Sequence, residues 1–470
     1  MTAVPIAFQT NRGKYAFMGV TSLVNAYAEK LGEDAKGMLG VMACDGTLPF
    51  ASGPDTPCRG AIYCDDLQCA YLVHSSSAWK LTSDGAMTRI GTIPGASKVT
   101  ITRNQATIPQ IVVQTDVGCY VIASDSVTRI VDPDLPYDTN SVDYLVGYVL
   151  YFGSTGRWYY SEQSEATIID GLSFYTAEQL PDRLVRGFVD RSELFLFGTK
   201  VTEVWAPTGD AEDPFRPRSG SSTIPKGLLA KHSVVSTDGS ILFVGSDGIV
   251  YRLNGYTPTR ISNHEVERAI EADPNPEAIE AMAWASQGHS FYNITGSNWS
   301  YSYDAATGVW HRRRSHQKTR WRHSNAFQAW GKTIVTDRFG GNVYYFDSDT
   351  TTEAGAPMIW DVVSPTMHAF PNGGIVDAMH FDMATGYGRL LPTDQGYDPV
   401  VMLSWSNDGG STFPITRHVS LGKRGQYRTR VTSRRLGRFG PQGRVWKLSV
   451  SDPVARGLVA ADAAVRPLKL

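Results

Sequence analysis

No segment of the 470-residue chain approaches the roughly 18 consecutive apolar residues that a membrane-spanning helix needs. The opening MTAVPIAFQTNRGKY lacks the basic and apolar regions of a secretory signal, so a soluble protein without membrane insertion is expected. Cysteine is scarce: Cys44, Cys58, Cys64, Cys69 and Cys119 are odd in number, form no CxxC pair and have no histidine at ligand spacing. They read as reduced, buried thiols, and no metal is expected. Also missing are a Walker loop, a Rossmann glycine pattern after a strand and a GxSxG elbow. No cofactor is expected.

Charge of one sign is missing locally. Between Arg417 and Lys447 there are ten Lys or Arg and no Asp or Glu, so with a total of −2 the remaining residues carry −12. A second basic run, HRRRSHQKTRWR from His311 to Arg322, adds six positive charges before any acid. Such asymmetry implies that two faces meet different partners.

What is abundant is turn and strand chemistry: 45 Gly, 25 Pro and 51 aromatic residues in a chain that is 42% hydrophobic and 19% charged, which suits a turn-rich globular protein. Seven stretches read as β-hairpins, beginning at Ala61, Ile111, Leu145, Glu193, Ile241, His289 and Thr333. Their starts lie 34 to 50 residues apart, about the length of a four-stranded propeller blade. No WD dipeptide or kelch signature marks them; a long β-sandwich or a β-helix is the alternative. The expected fold is therefore all-β: a β-propeller of six or seven blades over residues 61–354, with an additional β-sandwich-like platform domain over 355–470. Residues 1–60 are expected to pack on the platform or close the propeller. One helical interruption is read at Ser262 to Ala285, with Ser262 or Asn263 as N-cap and a break at DPNP.

The stretch LSWSNDGGSTF, Leu403 to Phe413, carries Ser406, Asp408, Gly410, Thr412 and Phe413 in Asp-box spacing. Sialidase propellers use such turns, which raises a carbohydrate-cleaving or carbohydrate-binding reading. The box occurs once and lies after the repeats, so its expected role is structural: the carboxylate, hydroxyls and glycine hold a turn and the aromatic packs beneath. The Tyr159 to Glu165 cluster YYSEQSE reads as a hydrogen-bonded rim rather than a catalytic Tyr–Glu pair.

The order of these segments resembles the packaged-DNA stabilisation family, the tail hub or nozzle proteins of short-tailed bacteriophages. The likeness rests on LVNAYAEK at Leu23, RSELFLFGTKVTEVWAPTGD at Arg191, IPKGLLAKHSVV at Ile224, ILFVGSDGIVYRLNGYTPTRISNHEVERAI at Ile241 and the closing run Ser406 to Val454. The resemblance implies a propeller with a platform, six copies in a ring below the portal and its adaptor, and a continued DNA channel. Tail fibres, spikes or a plug attach to such rings, and double-stranded DNA passes without sequence-specific binding. It implies a virion-tail protein assembled in the host bacterial cytoplasm, and no catalytic residue. No long insertion for a fibre dock is identifiable here.

Within that reading, a strand over Tyr427 to Thr432 would place Arg428 and Arg430 on one face, with Arg434, Arg435, Arg438 and Arg444 extending the positive surface. Contact with a neighbouring subunit or the adaptor, contact with DNA phosphates, and a plain solvated face compete. A conduit must let its cargo slide, which favours arginines in protein interfaces and a neutral or acidic lumen. The other run, Arg312, Arg313, Arg314, Lys318, Arg320 and Arg322, is read as a partner-facing loop, with a solvated loop as the alternative.

Overall fold

A computed structural model of the chain describes residues 2–33, 35–177, 182–220 and 223–468. Each of the seven hairpins supplies the central strands of one blade, and seven sheets of at least four strands follow one another around a ring. Strands such as Cys69–His74 and Ile111–Thr115 are buried at every position. A blade is covered on both faces by its neighbours, so its central strands are buried continuously and mostly apolar instead of alternating.

The faces meet in seven apolar clusters, one per junction. Ile111, Val113 and Tyr120 join blade one to blade two. Val142, Val149 and Tyr151 continue from two to three. At the next junction Trp158 is fully buried, its ring 5.0 Å from Tyr175, 5.4 Å from Trp205 and 5.5 Å from Phe215. Phe197 and Phe243 serve blades four and five, Ile294 and Trp310 five and six, and Trp284 and Trp321 six and seven. Ala51, Leu72 and Ile334 then join seven back to one.

Blade seven has three strands of its own, His323–Ala329, Lys332–Asp337 and Val343–Asp347; its fourth is the early strand Gly46–Ala51, antiparallel to Val343–Asp347. The ring is therefore closed by chain segments some 300 residues apart, with Leu48 opposite Tyr345. Gly46 is required at this crossing, because a Cβ there would lie 2.3 Å from Thr350 O.

The second domain is a sandwich made from both ends of the chain. One sheet orders Ala26–Lys30, Leu39–Ala43, Gly457–Leu468, Gly373–Met383 and Val431–Phe439. The other orders Val20–Val24, Trp360–Val363, Val445–Val450, Val400–Ser406 and Ile415–Ser420. Leu23, Trp360, Val376, Met379, Leu403, Trp446 and Leu448 fill the space between them. The second sheet runs on into blade six, whose last strand Val309–Arg312 meets Val20–Val24 in parallel at Val24 and Arg312.

The expected broken helix is only half present. Asn263 caps His264–Glu271 by accepting from Glu265 N and Val266 N, both at 3.1 Å, but Glu280–Ser286 is the first strand of blade six. The run EAMAWAS satisfies either period; burial between blades decides for strand. The helix also pins the N-terminal segment, since Asn263 Nδ2 donates to Thr10 O at 2.7 Å and Glu265 accepts from Arg12 N at 2.5 Å.

Two polar devices weld the domains. Asn25, at φ 52°, donates through Nδ2 to Arg314 O and Ile359 O, both at 2.9 Å, and accepts from Arg314 N at 3.0 Å. His289 of blade six lies between Asp304 (2.8 Å from Nδ1) and Glu29 of the sandwich (2.9 Å from Nε2). Burial alone would lower its pKa, but hydrogen bonding to the two carboxylates wins and raises it.

Asn25→Ala loses all three bonds and puts a Cβ residue without local compensation in the left-handed region, so a loss of about 2–4 kcal/mol in denaturant unfolding is expected. For His289 the folded pKa is raised, so its contribution is complete below the unfolded value near about 6.5 and lost as pH rises through the folded value. Comparing urea unfolding of wild type and His289→Gln, the gap between them narrows from pH 6 to pH 9; a constant gap would refute the charged latch.

Candidate functional site

The Asp-box residues form one closed turn between Val400–Ser406 and Ile415–Ser420. Asp408 accepts from Ser411 N and Thr412 N at 3.0 Å each, from Thr412 Oγ1 at 2.6 Å and from Ser406 Oγ at 2.5 Å. Ser406 Oγ in turn accepts from Gly410 N at 2.8 Å. These hydroxyl and amide donors hold the carboxyl well below the usual carboxylate range. Gly410 takes φ 94°, where a Cβ would meet Val20 Cγ1 at 2.8 Å, and Phe413 packs against Val20, Val363 and Val445. Every oxygen of the carboxylate is engaged in the turn. At YYSEQSE, Glu165 accepts from Gln110 Nε2 at 2.8 Å and Thr167 Oγ1 at 2.7 Å, while Tyr159 lies on Phe174. Asp408→Ala therefore lowers the Tm of the protein in calorimetry, and an unchanged Tm would refute a structural role for the box.

The basic run at the domain junction is not a free loop. Arg313 is buried, its guanidinium 4.2 Å from the Trp321 ring centroid, and donates to Asp45 O at 3.4 Å. Arg322 binds the buried Asp337 through Nε at 3.0 Å and Nη2 at 2.6 Å. Arg320 donates to Gly296 O at 2.9 Å, and Arg312 covers the Tyr301 ring at 5.6 Å. Only Arg314 and Lys318 are exposed, and Arg314 reaches Asp361 at 4.0 Å. A partner-facing role for Arg313 is thus corrected: its charge is spent on the weld between blade seven and the N-terminal segment.

In the C-terminal run, Arg428 stands in a turn and Arg430 precedes the strand, which begins at Val431; the expected alternation of the two along a strand does not occur. The turns are held by Gln426, which accepts at its carbonyl from Thr429 Oγ1 at 2.8 Å. Arg434, Arg435 and Arg438 lie on Val431–Phe439, and Arg435 takes φ 57° at a bulge opposite Val376 and Ala378. These five are exposed, and among the described residues none has an acidic partner within ion-pair distance. Arg444 differs. It is 1% exposed and donates to Asn407 Oδ1 at 2.8 Å, Leu436 O at 2.7 Å and Arg438 O at 2.6 Å between the rings of Trp405, Phe439 and Trp446. Burial lowers its pKa to about 10. Arg444 is therefore a core residue of the sandwich and not part of a subunit contact.

Sequence reading missed a set of exposed apolar side chains in the same domain. Tyr387, Leu390, Leu391 and Tyr427 are all more than half exposed, and the rings of Tyr387 and Tyr427 pack edge to face at 5.8 Å. Their signal was weak, because single apolar residues in a Gly- and Pro-rich loop have no periodicity. The five cysteines are buried and free; burial pushes Cys58 up to about 11 and Cys64 and Cys119 up to about 12, which keeps these thiols protonated.

Among solved structures the chain is similar to YCF48 bound to D1 peptide, at 12% identity and TM-score 0.41, over 64% of this chain and 95% of that one. It is similar to the WD40 β-propeller domain of Doa1 at 13% identity and TM-score 0.40, over 64% and 97%. BamB from Moraxella catarrhalis aligns at 11% identity and TM-score 0.38, over 69% and 100%. No curated protein matches the chain. Two family models do: one described as bacteriophage P22 Gp10, β-propeller, over residues 21–351, and one described as bacteriophage P22 Gp10, β-sandwich, over residues 359–466. With its propeller and its sandwich both matched, the chain belongs to the P22 Gp10 family, structural DNA-stabilisation and tail-hub proteins of short-tailed phages.

Proposed function

We propose that the protein is a tail hub whose copies, six on the family resemblance, form a ring that extends the portal–adaptor channel and retains packaged DNA. The ring also offers fibres, spikes or a plug a place to attach. Its work is mechanical rather than catalytic. The observation that carries this reading, beyond the family itself, is the surface of the sandwich: five exposed arginines that have no acidic partner among the described residues, with Arg428 next to the exposed Tyr427–Tyr387 pair and Leu390 and Leu391 exposed in the same domain. Arginine and aromatic residues are the types enriched at protein interfaces. The remainder of the chain, at −12, supplies the complementary charge on a neighbouring copy.

Geometry also suits a ring. Val431–Phe439 is the last strand of its sheet, and its arginines block a neighbour's strand from simply adding to the edge. Contact through side chains then fixes the angle between copies, and a closed ring repeats each contact at every subunit.

The double variant Arg428→Glu, Arg434→Glu keeps the fold, because both side chains are exposed. It is expected to fail to assemble on the purified portal–adaptor complex in negative-stain images, where wild type adds a ring. Normal ring addition by the variant would overturn the assigned interface.

A further inference from the structure

The first strands of successive blades touch, from Cys58–Cys64 through Thr100–Arg103 and Thr139–Leu145 to Leu184–Asp190, and from Val235–Thr237 through Glu280–Ser286 and His323–Ala329 back to Cys58–Cys64, so they surround the propeller's axis and their opening residues form a rim at one mouth of it. Val99 N donates to Arg59 O at 3.1 Å, and Ala281 N to His232 O at 2.7 Å, which ties this rim together. The same rim gathers Lys98, Arg186, Lys231, His232 and Arg338.

Countercharge is short. Glu280 takes both Lys98, at 2.6 Å, and Arg338. Arg338 spends its other donors on Trp321 O at 2.8 Å and His323 O at 2.7 Å. Asp143, the acid acting on Arg186, is committed to Val189 N at 2.8 Å and Tyr144 N at 2.9 Å, and burial raises its pKa to about 6. Among the described residues Arg186 and Lys231 form no ion pair. Burial, then the like charge of Arg338, pushes Lys98 down to about 7; burial, then Arg186 and Lys231, lowers His232.

Lys98 also donates to Ser324 O at 2.9 Å, so hydrogen bonding leaves open only Arg186 and Lys231 of these four cations. Arg186 donates only through Nη1, to Lys231 O at 2.9 Å, and its Nε is buried without a partner. The Nε–Nη2 edge of a guanidinium is planar and two-pronged, matched to an oxyanion. Lys231 Nζ gives one hydrogen to Asn140 O at 3.0 Å and keeps two. It borders open space on two sides, one cavity with Asn140, Leu184 and Glu277 and another with Thr115 and Asp116. Unpaired cations withdrawn from water are costly unless an anion joins them.

We propose that this mouth is a phosphate-binding site, in which the free edge of Arg186 and the ammonium of Lys231 hold the oxygens and Lys98 and His232 stand behind them. It is separate from the sandwich surface used for ring contacts and does not rest on that reading. A free phosphate ion and a phosphate monoester share this chemistry.

Isothermal titration of the full chain with inorganic phosphate and, separately, glycerol phosphate, against chloride at equal ionic strength, tests the site. Saturable one-to-one binding is expected, weakened at least about tenfold in Arg186→Met and in Lys231→Met. Tighter monoester binding marks a phosphorylated molecule as occupant; tighter inorganic phosphate marks the free ion. Should Arg186→Met not fold, Arg186→Lys keeps the charge, loses the two-pronged edge and shows the same loss. Absence of saturable heat with both ligands, or folded variants that bind as wild type does, would overturn the proposal.

Discussion

Everything in this molecule depends on one strand pairing, that of Gly46–Ala51 with Val343–Asp347. Each blade is apolar on both faces and stable only between two neighbours, so an open row of seven would leave two hydrophobic ends in water. Borrowing one strand from the start of the chain turns the row into a ring and supplies Ala51 to the last inter-blade cluster. The same excursion carries Val20–Val24, Ala26–Lys30 and Leu39–Ala43 into the sandwich, so closing the propeller and building the second domain are one topological act.

Arginine is the second structural theme. Arg59 donates to Ser97 O at 2.7 Å and Ser75 O at 2.6 Å, Arg444 to Leu436 O and Arg438 O on the edge strand of the other sandwich sheet, and Arg456 to Asp452 O at 2.8 Å and Thr351 O at 3.0 Å. A turn-rich protein has many loop carbonyls without ladder partners, and a guanidinium with five N–H groups satisfies several at once. Much of the positive charge is thus internal cement, which makes the few arginines left outside more informative.

The fold was legible because blade strands buried on both faces leave runs of β-branched and aromatic residues at blade-length spacing. The seven hairpins each fall in one blade, where the sequence left six or seven open, and the expected all-β architecture with a second β-domain is present. The Glu280–Ser286 strand was lost to helix because acids and alanines around DPNP mimic helix chemistry. Site reading was poorer for a physical reason. A charge run does not say whether a side chain is solvated, as Arg428 is, or stacked in the core, as Arg313 and Arg444 are. Likewise Lys98, Arg186 and Lys231 are far apart in sequence and meet only because blade openings share a rim.

Closure from the front end also dictates a timetable. On the ribosome, blades one to six emerge while the segment that must complete blade seven has already left the exit tunnel and has nothing to join. Gly46–Ala51 waits, unpaired, for nearly 300 residues of synthesis, and Leu39–Ala43, which can pair at once with Ala26–Lys30, meets its other neighbour only when Gly457–Leu468 appears. Until Val343–Asp347 emerges, the nascent propeller is an open row of blades with an unpaired strand at its front, exposed to strand exchange between chains on the same polysome.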